Sequence, residues 1–214
     1  MPKGSPELTA SRREEIINAC EKLYQTMSFR EITIKEIGNT TSFTRTSVYN
    51  YFQTKEEIFL ALMQREYNLW TEDLHNIINV NDTLSADSLA HHLACSLEKR
   101  ELLLKLLSMN HYDMEQNSRF ENLKDFKVSY KNSLQAVGKC LCRFCPEMTD
   151  QQKTDFIYAF FPFMFGIYPY TNVTEKQSRA MNDIGLDFVK NTIYDIVYNC
   201  VKKLLGDYDS NHRK

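Results

Sequence analysis

The chain has 214 residues, with 26 Lys and Arg against 28 Asp and Glu, for a formal net charge of −2. Hydrophobic residues make up 43% and charged residues 25%, which excludes a disordered or fibrous chain. The slight acidic balance also counts against a nucleic-acid binder, where an excess of Lys and Arg is the first expectation.

Proline and glycine set the fold class. No proline falls between Pro6 and Pro146, and that span holds only Gly38 and Gly138. Proline costs ~3 kcal/mol in a helix interior and glycine ~1, so their absence permits long helices. It also denies a β-protein the turn residues its hairpins need. The fold is predicted to be all-α. The longest uncharged apolar tract, residues 156–170, is shorter than the roughly 18 residues of a membrane span and is interrupted by Pro162, Gly166 and Pro169. No apolar segment of a secretory signal follows Met1-Pro2-Lys3-Gly4-Ser5-Pro6, so a cytoplasmic protein with reduced cysteines is expected.

In chain order, Ser11-Arg12-Arg13-Glu14 reads as a capping box, S-x-x-E, ahead of Ile16, Ile17, Cys20, Leu23, Tyr24 and Met27 at helical spacing. Thr33-Ile34-Lys35-Glu36 repeats the box, with Ile32 and Ile37 at the two positions of a hydrophobic staple. This second helix is short and ends in Thr40-Thr41-Ser42, all poor helix formers. Thr44 caps a third helix holding Arg45 to Phe52, with Phe43 and Val48 as its staple. Thr54-Lys55-Glu56-Glu57 opens a long fourth helix with Ile58, Phe59, Leu62 and Trp70 on related faces.

Short helix, tight turn, short helix is the helix-turn-helix pattern. In it the second short helix lies in the major groove. Arg45 can donate two bonds to guanine, Asn50 can pair with adenine, and Thr46 or Ser47 can reach either. Thr33, Thr44, Tyr49, Tyr51 and Lys55 are phosphate-type donors. Charge distribution answers the earlier objection in part. Residues 1–55 hold eight Lys and Arg against six Asp and Glu, a balance of +2, and the remainder carries −4. Residues 37–55 contain no acid at all.

These same stretches, Thr33-Ile34-Lys35-Glu36-Ile37, Thr44, Ser47-Val48-Tyr49-Asn50-Tyr51-Phe52 and Lys55-Glu56-Glu57-Ile58-Phe59, resemble the N-terminal domain of TetR-family transcriptional regulators. The likeness covers residues 11–62. Gly38 stands where that family's pattern has alanine, Thr41-Ser42 where it has Ala-Gly, and Thr46 where glycine or proline is common. The resemblance implies a DNA-binding head over residues 8–55, a helical ligand-binding and dimerisation body over 56–206 and a polar tail at 207–214, with about nine helices in all. It further implies a homodimeric repressor on a palindromic double-stranded operator, released by a small-molecule effector, with no enzymatic activity and no cofactor.

Apolar stripes continue through the body. Leu89, Leu93 and Leu97 share a face, as do Leu103, Leu106 and Leu107. A stripe from Phe120 to Phe144 covers about seven turns. Thr149-Asp150-Gln151-Gln152 offers a further helix start, and Leu186, Val189, Ile193, Val197, Val201 and Leu204 form a terminal stripe. The tract at 156–170 is apolar all round, so both of its faces call for cover. Phe160, Phe161, Phe163, Phe165, Val189, Ile193 and Val197 are the candidates for a dimer interface. Trp70, Met109, His111, Tyr112, Phe126, Tyr130 and Tyr168 are the candidates for an effector pocket, with ordinary core packing as the alternative for each. Cys140, Cys142 and Cys145 lack a regular fourth ligand for a metal site, and no catalytic constellation is visible. A helical ligand-binding or interaction protein without specific DNA binding stays open beside the regulator.

Overall fold

The computed structural model describes residues 5–109 and 111–209, with side chains to residue 206. Eleven α-helices and no strand occur among the described residues. The all-α expectation therefore holds, with two more helices than the nine implied by the family pattern. The chain divides into two compact units.

The first unit comprises Met1–Arg65 and Asn110–Tyr130. It contains α1 (Pro6–Tyr24), α2 (Ile34–Thr40), α3 (Arg45–Val48), the start of α4 (Lys55–Val80), α7 (His111–Gln116) and the start of α8 (Phe120–Phe144). The expected box at Ser11 does not start α1. Ser5 caps it instead, accepting from the Leu8 N–H at 3.3 Å, with Pro6 at the first helical position, where its missing N–H costs nothing. Ser11 thus sits inside the helix.

Thr33 does cap α2, accepting from the Glu36 N–H at 3.4 Å, and its hydroxyl also meets the Glu36 carboxylate. The staple residues Ile32 and Ile37 are fully buried. α3 is shorter than expected, because the chain tightens after Val48: Asn50 N–H donates to Ser47 O at 3.2 Å and Tyr51 N–H to Val48 O at 2.9 Å. Val48, Phe52, Ile58, Phe59 and Leu62 join Ile16 and Cys20 in one core. Phe59 is packed edge-on by Tyr24 and Phe29, with ring centroids 5.2 and 4.8 Å away.

The second unit comprises Glu66–Met109 and Lys131–Lys214. It holds the rest of α4 and α8, together with α5 (Ala86–Glu98), α6 (Glu101–Leu107), α9 (Asp150–Thr171), α10 (Glu175–Asp183) and α11 (Ile193–Asp209). α11 packs along α5 and touches α9, and α6 lies on α9. Thr149 and Gln152 form the expected capping box at the start of α9. The terminal stripe is cut short. Leu186 and Val189 lie outside α11, because Thr192 caps that helix by accepting from the Asp195 N–H at 3.1 Å.

A helix the sequence reading missed, α10, precedes them. It ends in a Schellman motif: Gly185, at φ +68°, donates to Asn182 O at 3.0 Å, and Leu186 N–H donates to Met181 O at 3.0 Å. Of the expected polar tail, residues to Asp209 continue α11, and 210–214 lie outside the described residues.

Candidate nucleic-acid interface

The surface of the first unit around α2 and α3 is built from long-range ties that short-range patterns do not show. Ser42, in the turn between the two helices, gives its N–H to the carboxylate of Glu15 on α1. Thr41 Oγ1 donates to Gly38 O at 2.9 Å, closing the end of α2. Gly38 lets the helices approach: a Cβ at this position would stand 3.0 Å from Arg45 Cα.

On the outer side of α3, Thr44, Arg45, Thr46, Tyr49 and Asn50 are exposed, and Ser47 is half-buried. Arg45 Nη2 donates to Tyr49 Oη at 3.3 Å, and its guanidinium lies 5.8 Å from the Tyr49 ring centroid. Both side chains are thereby held on one face, one turn apart. Thr44 Oγ1 and Ser47 Oγ are 3.1 Å apart. Thr33 is exposed at the start of α2.

The remaining two phosphate candidates have other neighbours. Tyr51 is buried, and its hydroxyl accepts from Arg12 Nη1 at 3.5 Å. Lys55 Nζ donates to Phe29 O at 2.7 Å and Ile32 O at 3.1 Å, and sits 4.2 Å from the Phe29 ring centroid. It satisfies the carbonyls of the connection between α1 and α2.

Behind α3, Glu57 and Arg119 form a two-pronged ion pair. Arg119 Nε donates to Oε1 at 2.6 Å and Nη2 to Oε2 at 2.8 Å. The Arg119 N–H adds a bond of 3.0 Å, and the Gln53 N–H adds one of 2.7 Å. Arg119 Nη2 also donates to Tyr51 O at 3.1 Å. The Glu57 side chain is only 1% exposed. Burial alone would raise its pKa, but the bonds from Arg119 and the Gln53 N–H outweigh that and hold it below the ordinary value. Burial also lowers the pKa of neighbouring Arg13, whose guanidinium stands 4.5 Å from the Phe52 ring centroid. Neither Glu15 nor Arg119 carries a local signal, since their partners lie 27 and 62 residues away.

The effector candidates fall in both units. In the first, Phe126 is buried, His111 and Tyr130 are half-buried, and Tyr112 is 83% exposed. In the second, Met109 and Tyr168 are half-buried, while Trp70 is fully buried and gives its indole N–H to Ser96 Oγ at 3.0 Å. That bond, with the Phe161 ring 5.7 Å away, makes Trp70 part of the core.

Of the dimer candidates, Phe160, Phe161, Ile193 and Val197 are buried within the protomer, and Phe163 is half-buried. Phe165 and Val189 are exposed. On α9 the outward side also carries Tyr158, Pro162 and Tyr170.

Cys140 and Cys145 are buried and Cys142 is exposed. The Cys140 thiol donates to Leu74 O at 3.8 Å, and burial pushes its pKa up to about 12. Among the described residues, no group of three or more His, Cys, Asp or Glu is placed to hold a metal. No helix among them is long and apolar enough to cross a membrane.

Thr44 stands at the start of α3 without the expected side-chain cap bond, its hydroxyl meeting Ser47 Oγ instead. Two short helices held at a tight turn, with an exposed polar and cationic outer face, define a helix-turn-helix DNA-binding protein. Residues 16–62 match the model of bacterial regulatory proteins of the tetR family. Residues 64–195 match that of the tetracyclin repressor-like C-terminal domain. The chain belongs to the TetR family and is a DNA-binding transcriptional regulator.

Several solved structures share its fold. The fatty acid degradation regulator FadR of Bacillus halodurans is 15% identical, with 96% of this chain and 97% of that one covered, at a TM-score of 0.60. A TetR/AcrR-family regulator of Thermobifida fusca is 16% identical over 92% and 98%, at 0.59. Thermus thermophilus FadR, solved with lauroyl-CoA, is 16% identical over 90% and 93%, at 0.55. At such identities the likeness is one of fold. No curated protein matches the chain.

Proposed function

We propose that the chain acts as a homodimeric, cytoplasmic repressor whose grip on a palindromic double-stranded operator is released by a small-molecule effector. Arg45, Thr46, Ser47 and Asn50 read base edges, and Thr33, Thr44 and Tyr49 hold phosphates. Tyr51 and Lys55 serve the operator indirectly, through the carbonyls and side chains they position. The observation that carries this reading is the exposed, acid-free outer face of α3, with Arg45 and Tyr49 already paired on it.

Dimerisation is assigned to the outward apolar side of α9, with Phe165 and Tyr170 as its anchors. Phe163 and Val189 lie at its margin. Phe160, Phe161, Ile193 and Val197 support that surface from within the protomer. The effector is assigned to the helical body, where Met109 and Tyr168 combine partial burial with a polar or polarisable group. An effector acts only by binding the DNA-incompetent state better than the competent one.

Selection of bound DNA from a random pool by the full-length protein tests the reading. A palindrome, bound with a steep salt dependence, is the expected outcome. Enrichment of an unpaired half-site rejects the symmetric dimer, and no enrichment rejects specific binding. Lauroyl-CoA, carried by the Thermus thermophilus relative, is the first probe for release of the selected DNA.

A further inference from the structure

On α5, away from the helix-turn-helix, Asp87, His91 and Cys95 follow one another at four-residue intervals and share one face. α11 packs along α5 and lays Tyr194, Tyr198 and Lys202 against that face. Cys95 Sγ lies 3.7 Å from His91 Nε2 and 3.9 Å from His91 Nδ1, and His91 Nδ1 lies 2.9 Å from Tyr194 Oη. One turn earlier, Asp87 accepts from Tyr198 Oη at 2.6 Å and from Lys202 Nζ at 2.8 Å. Those two bonds, the Lys202 bond first, hold the Asp87 carboxyl below the usual range, so it is ionised at neutral pH near the imidazole. Cys95 is half-buried and forms part of the wall of a cavity of about 150 Å³, together with Asp73, Ile77, Val80, His92 and Lys99.

We propose that Cys95 is a nucleophilic thiol, with His91 as its base, that takes up a compact α,β-unsaturated carbonyl compound through this cavity. A thiol, a base within hydrogen-bond reach and a third group orienting the base are the parts of an activated nucleophile. Tyr194 anchors the His91 ring through Nδ1, which leaves Nε2 as the nitrogen nearer the sulfur and not engaged by the tyrosine. The volume is below the roughly 300–1,000 Å³ of drug-sized sites, which selects a small molecule.

In the reaction the Cys95 proton passes to His91 Nε2. The sulfur electron pair forms a C–S bond to the β-carbon while the C=C π pair shifts towards the carbonyl oxygen. The imidazolium then returns the proton to the α-carbon. Nothing is oxidised or reduced, and no further reactant enters. The other thiols differ: burial raises the pKa of Cys20 and Cys140, and such thiols are inert. This site rests on the α5–α11 geometry and not on the DNA-binding reading.

The experiment is competition labelling of the native full-length protein with limiting N-ethylmaleimide at neutral pH, with peptide mass mapping. Cys142 is more exposed than Cys95, so accessibility alone makes Cys142 the faster thiol. With His91 as base, Cys95 reacts about ten-fold faster than Cys142 or more. His91→Gln then lowers the Cys95 rate by a similar factor and leaves Cys142 unchanged, and Tyr194→Phe lowers it less. Val80→Trp, at an exposed position on the cavity wall, slows Cys95 by obstruction. Faster labelling of Cys142, or an unaltered Cys95 rate in His91→Gln, overturns the proposal. An unaltered rate in Val80→Trp overturns the cavity as the route.

Discussion

Each of the two units is held together internally by its own means. In the second, long helices bury continuous apolar faces: Leu89, Leu93 and Leu97 on α5, Phe156, Phe160 and Met164 on α9, Val197 and Val201 on α11. In the first, α2 and α3 have seven and four residues, too few to be stable alone. Their positions depend on individual polar ties and on one close backbone approach. Area resists single substitutions by spreading the load, whereas a polar tie concentrates it. Substitutions that delete bulk should therefore hurt the body most, and substitutions that delete one bond should hurt the head most.

Trp70→Ala should have the largest effect. The side chain is fully buried, so its loss costs about 3–5 kcal/mol. Urea unfolding should show the drop, and Trp70→Phe should recover most of it, since Ser96 Oγ keeps its own bond to Leu93 O at 2.8 Å. If Trp70→Phe is as damaging as Trp70→Ala, the indole hydrogen bond outweighs the packing.

Arg119→Ala comes next. It leaves the Glu57 carboxylate buried without its cation, a change worth roughly 3–5 kcal/mol in general. Arg119 itself is 41% exposed, so water can replace part of what is lost and the low end applies. The effect should depend on pH. The folded pKa of Glu57 is lowered, so its contribution is full above the unfolded value, about 4.3, and is lost as pH falls through the folded value. The gap between wild type and Arg119→Ala should narrow in acid. A gap that stays constant from neutral pH into acid would remove Glu57 from the account.

Lys55→Ala and Arg45→Ala separate support from reading. Lys55 holds the carbonyls of Phe29 and Ile32, so its loss should lower stability by about 1–2 kcal/mol with DNA absent. Arg45 holds only exposed Tyr49 in the free protein, so Arg45→Ala should leave stability nearly unchanged. Its cost should appear on the operator instead, ~1–3 kcal/mol with relaxed preference at one base position. Calorimetry without DNA and binding to a selected operator give the two numbers. Stability unaffected by Lys55→Ala would return Lys55 to the phosphates.

Legibility followed the range of the interactions. Thr33 and Thr149 could be read as caps because their partners stand three residues away. Ser11 also matched S-x-x-E and was no cap, since Ser5-Pro6 starts the same helix earlier with a stronger stop. The pattern cannot rank two candidate starts on one amphipathic run. α10 has a good box in Thr174 and Gln177 but no buried residue, so it left no apolar stripe to read. Around α3, Arg45, Thr46 and Asn50 were legible as exposed polar positions beside Val48. The true neighbours of Tyr51 and Lys55 were not, because Arg12 and the Phe29 carbonyl come from elsewhere in the chain. The dimer candidates show the same limit: periodicity marks Phe160 and Phe165 as apolar alike, and only packing tells the buried side of α9 from the exposed one.

The change that best isolates the head is Gly38→Ala. Alanine is the residue the family pattern carries at this place, and it favours a helix over glycine by up to about 1 kcal/mol. Here the new Cβ would meet Arg45 Cα at 3.0 Å and Arg45 Cβ at 3.3 Å. The obstacle is backbone, so α3 itself has to give way by a few tenths of an ångström. α3 is not free to do so without cost, with Val48 in the core and Ser42 tied to Glu15. The helix gain and the displacement offset each other, and global stability should change by less than about 1 kcal/mol in either direction. On the proposed reading of base edges by Arg45 on α3 and Asn50 in the turn that follows it, the operator feels only the displacement. Affinity should fall several-fold, a change of about 1 kcal/mol, with the salt slope unchanged because no phosphate contact is removed. A lower stability with intact operator affinity would place the strain inside α2 and leave α3 where it is.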